Sequence, residues 1–447
     1  MKLLQKVALY IAIVSFLALL FGLFTGNQSL AKAAAVATSI LLSLGIAVIP
    51  LLQGYQYTAW IITAVVCGMI YPEQLLNIGN IDMRNKWLIL FVIQLVMFGM
   101  GMKMSIKDFY GIRKSGKGVA VGLMSHFTVM PLMGLLLTKV FHFDTEIAAG
   151  IILIGCCSSG LASNVMTYIA KGNLVLSVTV TAITTIAAPI MTPFLMKLLA
   201  GTLIEVKFIN MMMEIIKIVI VPLSAALIHD YLKTASPDKA KKLNLVAGFA
   251  AAWLLLNVLI WKSVFAAKFS LPVLESLEVF NFFTGALIIG VLYHQLAKKA
   301  PKVDDFMPYL SMAGIVYFTT VTTAAGRDNL LQIGFLLFIA AVIHNGAGYF
   351  FGYTFSRLLG LNKSDARTLA FEVGLQNGGM ATGLAGTMGK LGTVGLAAAI
   401  FSPWMNISGS ILANYWKRKA ERERATESLK TAEQISGEEK LIQQKQE

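Results

Sequence analysis

The feature that most constrains this chain is its succession of apolar runs, each about as long as a bilayer is thick. A hydrocarbon core of about 30 Å takes roughly 20 apolar residues of helix. Such runs read as spans near 7–25, 33–54, 57–71, 87–104, 118–140, 147–170, 174–199, 211–232, 245–262, 276–296, 308–325, 330–356, 366–388 and 391–416, fourteen in all. Only 13% of the 447 residues are charged and 57% are hydrophobic, with a mean hydropathy of +0.72. No ordinary soluble domain has that composition, so the expectation is an all-α membrane protein.

Lys2 and Lys6 ahead of the first run, with "AKA" at 31–33, resemble a cleavable leader, but the run exceeds the 7–15 residues of a signal core, so a retained helix is expected. The net charge of +14 does not point to nucleic acid. It is concentrated in loops 103–117, 233–242, 298–302 and 357–367, which carry five, four, three and three Lys or Arg. That is the positive-inside pattern. It predicts a protein of the cell (inner or plasma) membrane, with these loops and both termini in the cytoplasm. Cys67, Cys156 and Cys157 lie in apolar spans and imply neither a disulfide framework nor a zinc site. Residues 417–447 are too charged to bury a core and read as a cytoplasmic tail, mobile or loosely helical.

Two spans are polar at their centres rather than at their ends: "CCSSGLASNVMTYIAKGN" (156–173) and "FEVGLQNGGMATGLAG" (371–386). Each has a glycine-containing break, a polar residue followed by an amide (Ser163-Asn164, Gln376-Asn377), then Met and Thr. An unpaired backbone group in lipid costs several kcal/mol, so a broken helix belongs inside protein or beside a wet cavity. Two echoing breaks are the signature of an inverted-repeat transporter. The blander reading is a pair of small-residue packing faces with the amides joining neighbouring helices.

Glu372 lies more than a turn inside its span, with no Lys or Arg beside it in sequence, and a carboxylate at such depth marks function by default. Ser163, Asn164, Gln376, Asn377 and freed carbonyls offer the oxygen donors that a small hard cation prefers. Sodium suits that set, because its gradient can drive another solute. Ser177 and Thr181, at i and i+4 on the next span, share one helix face and can aim at the same ion.

These stretches, together with "FGMGMKMSIKDF" (98–109), "HNGAGYFFG" (344–352), "EVGLQNGG" (372–379) and "SPWMNISGS" (402–410), resemble the bile acid:sodium symporter family from about Trp87 to Trp416. The resemblance implies two inverted five-helix repeats, a panel domain, and a core domain with two crossed discontinuous helices. It implies a sodium-coupled symporter that imports a small organic anion by alternating access. Carried over, the first sodium site uses Ser163, Asn164, Ser177, Thr181 and Glu372. The second uses Glu372, Gln376 and the carbonyls of Val373 and Leu375. Where the family usually completes the second site with a Gln, "HFTVMP" places His126, a poor sodium ligand. The second site is then weakened, or a proton on His126 stands in for sodium. On the substrate side Asn377 and Asn406 remain, while Leu161 and Met405 replace the Thr and His common in the family. A substrate less polar than a small hydroxy acid, or one gripped elsewhere, follows.

The resemblance accounts for ten helices, and two extra pairs remain. One lies in 233–305. The other lies within 1–86: either 7–54 is added, or 33–71 is, which would give both repeats a hairpin at the same point. The chain thus divides into N-terminal helices (1–86), first-repeat helices and the start of the second (87–232), an inserted pair (233–305), second-repeat helices (306–416) and the tail (417–447). The competing classes are a proton-coupled relative, a metalloid exporter using Cys156 and Cys157, a non-transporting ligand sensor, and an intramembrane enzyme. The last lacks a nucleophile elbow, an aspartate pair and a zinc motif. Lipid is an expected partner and nucleic acid is not; oligomeric state is not encoded legibly.

Overall fold

The computed structural model describes residues 2–49, 52, 55–260 and 270–446. Among the described residues it is almost wholly helical, with a two-stranded hairpin, β1 (Asn77–Ile78) with β2 (Ile81–Asp82), in a loop. The helices in chain order are α1 (Lys2–Phe24), α2 (Gln28–Gly45), α3 (Gln56–Ile70), the single turn α4 (Pro72–Leu76), α5 (Lys86–Gly101), α6 (Ile112–Phe141), α7 (Thr145–Cys156), α8 (Ala162–Ile169) and α9 (Leu174–Ala200). They continue with α10 (Phe208–Ile215), α11 (Val221–Thr234), α12 (Pro237–Ile260), α13 (Leu271–Lys299), α14 (Lys302–Ala325), α15 (Arg327–Leu358), α16 (Lys363–Gly374), α17 (Gly378–Thr387) and α18 (Val394–Gln446). Among the described residues eight helical stretches are long and apolar enough to cross a membrane, and α3, α5 and α7 are shorter apolar helices. The chain is therefore an integral, all-helical membrane protein.

Each apolar run of the sequence falls on a helix or a broken helix, with shifted ends. Asn27 caps α2, its Oδ1 accepting from the Leu30 amide, so α2 starts before residue 33 and takes in "AKA". The run expected at 33–54 is helical only to Gly45, followed by a tight turn at 46–48, and residues 50, 51, 53 and 54 lie outside the described residues, as does the end of the run expected at 245–262. A widened π turn at 216–220 joins α10 to α11. The tail continues α18 as helix to Gln446.

Packing separates two layers. α14 lies against α3 and α5, and α5 lies against α11. The other layer joins α6, α7, α9, α15, α16 and α18 around the largest apolar core, which includes Met130, Ile152, Phe371 and Phe401. α1 packs on α2 and the turn after it, and α2 packs on α3, which itself lies against α14. On the opposite flank α13 packs on α11, and α12 on α13.

Candidate functional site

Both polar islands are breaks between two short helices. α7 stops at Cys156 and α8 begins at Ala162; α16 stops at Gly374 and α17 begins at Gly378, capped by Asn377 Oδ1 accepting from the Met380 amide at 3.0 Å. The extended residues between them cross. Ser159 and Gln376 form an antiparallel bridge, in which the Gly160 amide donates to the Leu375 carbonyl (2.9 Å) and the Asn377 amide to the Ser158 carbonyl (2.8 Å). Each break thereby supplies the partners the other lost, which is what unwound backbone in a membrane requires. The approach is so close that a Cβ on Gly160 would lie 2.6 Å from the Gln376 carbonyl oxygen.

Glu372 is completely buried one turn before its break. Its Oε1 accepts from Ser177 Oγ at 2.5 Å and its Oε2 from Thr181 Oγ1 at 2.9 Å. Ser177 also reaches Asn164 Oδ1 (2.8 Å), and Thr181 Oγ1 lies 3.3 Å from Ser163 Oγ. All five residues of the first expected set therefore meet at one point, drawn from α8, α9 and α16. Ser177 and Thr181 arrive there because they are one turn apart on α9, whose start is fixed by Asn173 capping the Leu176 amide.

The second set gathers on the other side of Glu372. Gln376 Nε2 donates to the Val373 carbonyl (2.7 Å), while its Oε1 is buried with no partner. An orphaned buried oxygen costs free energy that a bound cation would recover. The Leu375 carbonyl is already engaged by the Gly160 amide and, at 3.4 Å, by Ser159 Oγ. His126, fully buried on α6, bridges both breaks: Nδ1 lies 2.9 Å from the Glu372 carbonyl oxygen and Nε2 2.8 Å from that of Cys157. Carbonyls only accept, so both contacts are hydrogen bonds when the ring carries both protons. The donor set around the Glu372 carboxylate consists of oxygens and fits an alkali cation.

Leu161 and Asn377 line a narrow cavity of about 20 Å³ between the crossing and α5, closed by Met97, Met100 and Met104. Met405 and Asn406 do not line it. Tyr349 Oη donates to the Met405 backbone carbonyl, and Asn406 Nδ2 donates to the Ser402 carbonyl of its own helix, so the Asn406 amide nitrogen is spent within α18.

Some participants carry no obvious signal in sequence. Thr167 Oγ1 lies 3.2 Å from Ser177 Oγ, which spends its one proton on Glu372 and can accept from the threonine; Thr167 is one turn past Asn164 on α8, and that spacing could have flagged it. The Gly374 carbonyl, freed by the second break, accepts from Asn345 Nδ2 at 2.8 Å, and Asn345 Oδ1 in turn accepts from Ser408 Oγ at 2.6 Å. Away from the crossing, Lys390, in the turn after α17, pairs with Glu146 at the mouth of α7 and holds its carboxyl below the usual carboxylate range.

A family model described as the sodium bile acid symporter family matches residues 90–268. The chain is 31% identical over 372 residues to the uncharacterized sodium-dependent transporter YocS of Bacillus subtilis, covering 83% of this chain and 94% of that protein. It is 28% identical over 330 residues to the probable sodium/metabolite cotransporter BASS1, chloroplastic, of Arabidopsis thaliana (74% and 66% covered). It is 26% identical over 323 residues to the human ileal sodium/bile acid cotransporter (70% and 74%). These are membrane transporters coupled to sodium, not enzymes, and with crossed broken helices around a buried carboxylate and a match spanning nearly all of the bacterial relative, the chain belongs to the sodium bile acid symporter family.

Proposed function

We propose that the protein imports a small organic anion together with sodium by alternating access. The observation that carries this reading is Glu372, a buried carboxylate held by Ser177 and Thr181 beside Asn164 and Ser163. Sodium, as the coupling substrate, neutralises it there. The two crossed breaks, together with the family, support ten core helices in two inverted repeats: α3, α5, α6, α7–α8 and α9, then α10–α11, α14, α15, α16–α17 and α18. On this reading α3, α5, α11 and α14 are the panel, α1–α2 and α12–α13 are the added pairs, and fourteen crossings result. Rocking of the panel against the crossing layer opens the cavity at Leu161 and Asn377 to either side. An anion is favoured by the names of the relatives, one a bile acid cotransporter and one a metabolite cotransporter. The apolar Leu161 suits a substrate less polar than a hydroxy acid.

One sodium ion per cycle is the stoichiometry we propose. His126 already spans the two carbonyls beside the second expected position, and with the Val373 and Leu375 carbonyls engaged the Gln376 Oε1 is the one unpaired oxygen that position adds, too few for a second cation. Coupling to protons instead of sodium is the second reading, and the same histidine favours it. Proteoliposomes under imposed gradients decide between them. Accumulation of a labelled organic anion that needs an inward sodium gradient supports the proposal, whereas accumulation driven equally by a pH gradient without sodium rejects it.

A further inference from the structure

A second, larger cavity lies apart from the crossing, between α5, α11, α13 and α14. α13 packs on α11, most closely at Gly290. At Gly290 an added Cβ would lie 2.6 Å from the Ala225 carbonyl oxygen of α11. At Gly285 the nearest atom would be 3.9 Å away and belongs to Leu254 of α12. Alongside this contact the four helices leave a wedge of about 470 Å³, within the roughly 300–1,000 Å³ typical of ligand sites. Phe98, Ala286 and Met307 form its buried wall. Phe91 and Ile289, 64% and 56% exposed, form its lateral rim.

The lining is apolar except at one end, where Gln94, Glu278 and Asn281 gather beside Lys217. Lys217 Nζ lies 3.0 Å from Glu278 Oε1 and 3.6 Å from Glu214 Oε1. Two carboxylates share one ammonium, so this end carries a net negative charge. Glu278 is also the more exposed of the bridging pair, its side chain 47% exposed against 13% for Lys217. At the far end Tyr293 has its hydroxyl spent on the Val303 carbonyl and asks nothing of a ligand. Along α13 the rise from Glu278 to Tyr293 is about 22 Å, the scale of one extended fatty acyl chain.

An apolar void of this size is unfavourable when empty, and its rim at Phe91 and Ile289 is exposed on helices apolar enough to lie in a bilayer. We propose that this wedge is a lipid site that seats a phospholipid with a primary-amine headgroup, its tail along α13 and its ammonium on Glu278. The net negative end disfavours an anionic lipid, and it disfavours the transported organic anion as well. The proposal concerns α13 and its neighbours alone and does not depend on how the crossing is used.

Photolabelling tests it. The full chain is reconstituted in vesicles of phosphatidylethanolamine and phosphatidylglycerol carrying a trace of either lipid with a diazirine in its acyl chain, and the labelled peptides are mapped. The ethanolamine probe is expected to label the segments around Phe91 and Phe282. Ala286→Phe, which fills the wedge, abolishes that labelling, and Glu278→Gln reduces the preference for ethanolamine over glycerol headgroups about tenfold, the worth of one charge-assisted contact. Glu278→Gln alters a half-exposed group without changing volume, and it carries the test where Ala286→Phe does not fold. Absence of labelling at these segments, equal labelling by both probes in the wild type, or a headgroup preference unchanged in Glu278→Gln overturns the proposal.

Discussion

Ser159 and Gln376 pair backbone to backbone as an isolated antiparallel bridge, so the two breaks of this transporter are one hydrogen-bonded unit rather than two neighbouring defects. The crossing tolerates no side chain at Gly160, where a Cβ would sit 2.6 Å from the carbonyl oxygen of Gln376. Gly160→Ala is expected to cost about 2–4 kcal/mol by forcing the segments apart. Unfolding in detergent measures the loss, and sodium-dependent uptake should fall with it.

Glu372→Gln keeps the shape of the site and removes its charge. A ligand at a hundred times its dissociation constant stabilises the wild type by about 2.7 kcal/mol. That sodium-induced rise in unfolding temperature should vanish in the variant, while its unfolding temperature in potassium stays near the wild-type value or above it. A sodium response retained by Glu372→Gln would place the ion elsewhere.

Ser177→Ala and Thr181→Val each delete one hydrogen bond to a charged group and one hydroxyl from the oxygen set. Bonds of that type contribute roughly 1.5–3 kcal/mol, so half-saturation by sodium should rise about tenfold or more for each. Because the two hydroxyls serve the same carboxylate, the double variant should fall short of the summed effect.

How much of this was legible beforehand depends on what kind of information each part needs. Glu372, Ser177, Thr181, Asn164 and Ser163 stood out because polar groups inside apolar runs are rare, and because the two hydroxyls are one helical turn apart. The bridge register could not be read, since it pairs segments distant in sequence. Nor could the partner of Asn406, whose amide nitrogen turns back to the Ser402 carbonyl of its own helix. The neighbours of the N-terminal helices were likewise a matter of contact: α1 and α3 are both strongly apolar, and only packing seats α3 against α14 and α1 against α2.

His126→Gln restores the residue type usual in the family. If one sodium is bound in the wild type, the Hill coefficient for sodium should be near one and should rise above it in the variant. A wild-type value near two, unchanged by the substitution, sinks the single-ion reading.

Glu146 and Lys390 tie the N-terminal end of α7 to the turn between α17 and α18. Hydrogen bonding to Lys390 and Thr393 lowers the Glu146 carboxyl below its ordinary value against a smaller opposing effect of burial. A depressed folded value gives stability that is fully present above the ordinary carboxylate range and is lost as pH falls through the folded value. With both side chains about a third exposed, screening keeps the worth of the pair below about 1 kcal/mol. Glu146→Gln should lower the unfolding temperature slightly at neutral pH and flatten its acid limb, as a pH series of melts would show.

Both peripheral hairpins, α1–α2 and α12–α13, attach to the same layer, one through α3 and the other through α11. That layer therefore carries a broad skirt against the surrounding lipid, while the layer holding the two crossed breaks has none. Viscous drag grows with such a skirt, so the proposed rocking would leave the skirted layer as the stator and move the layer of the crossing.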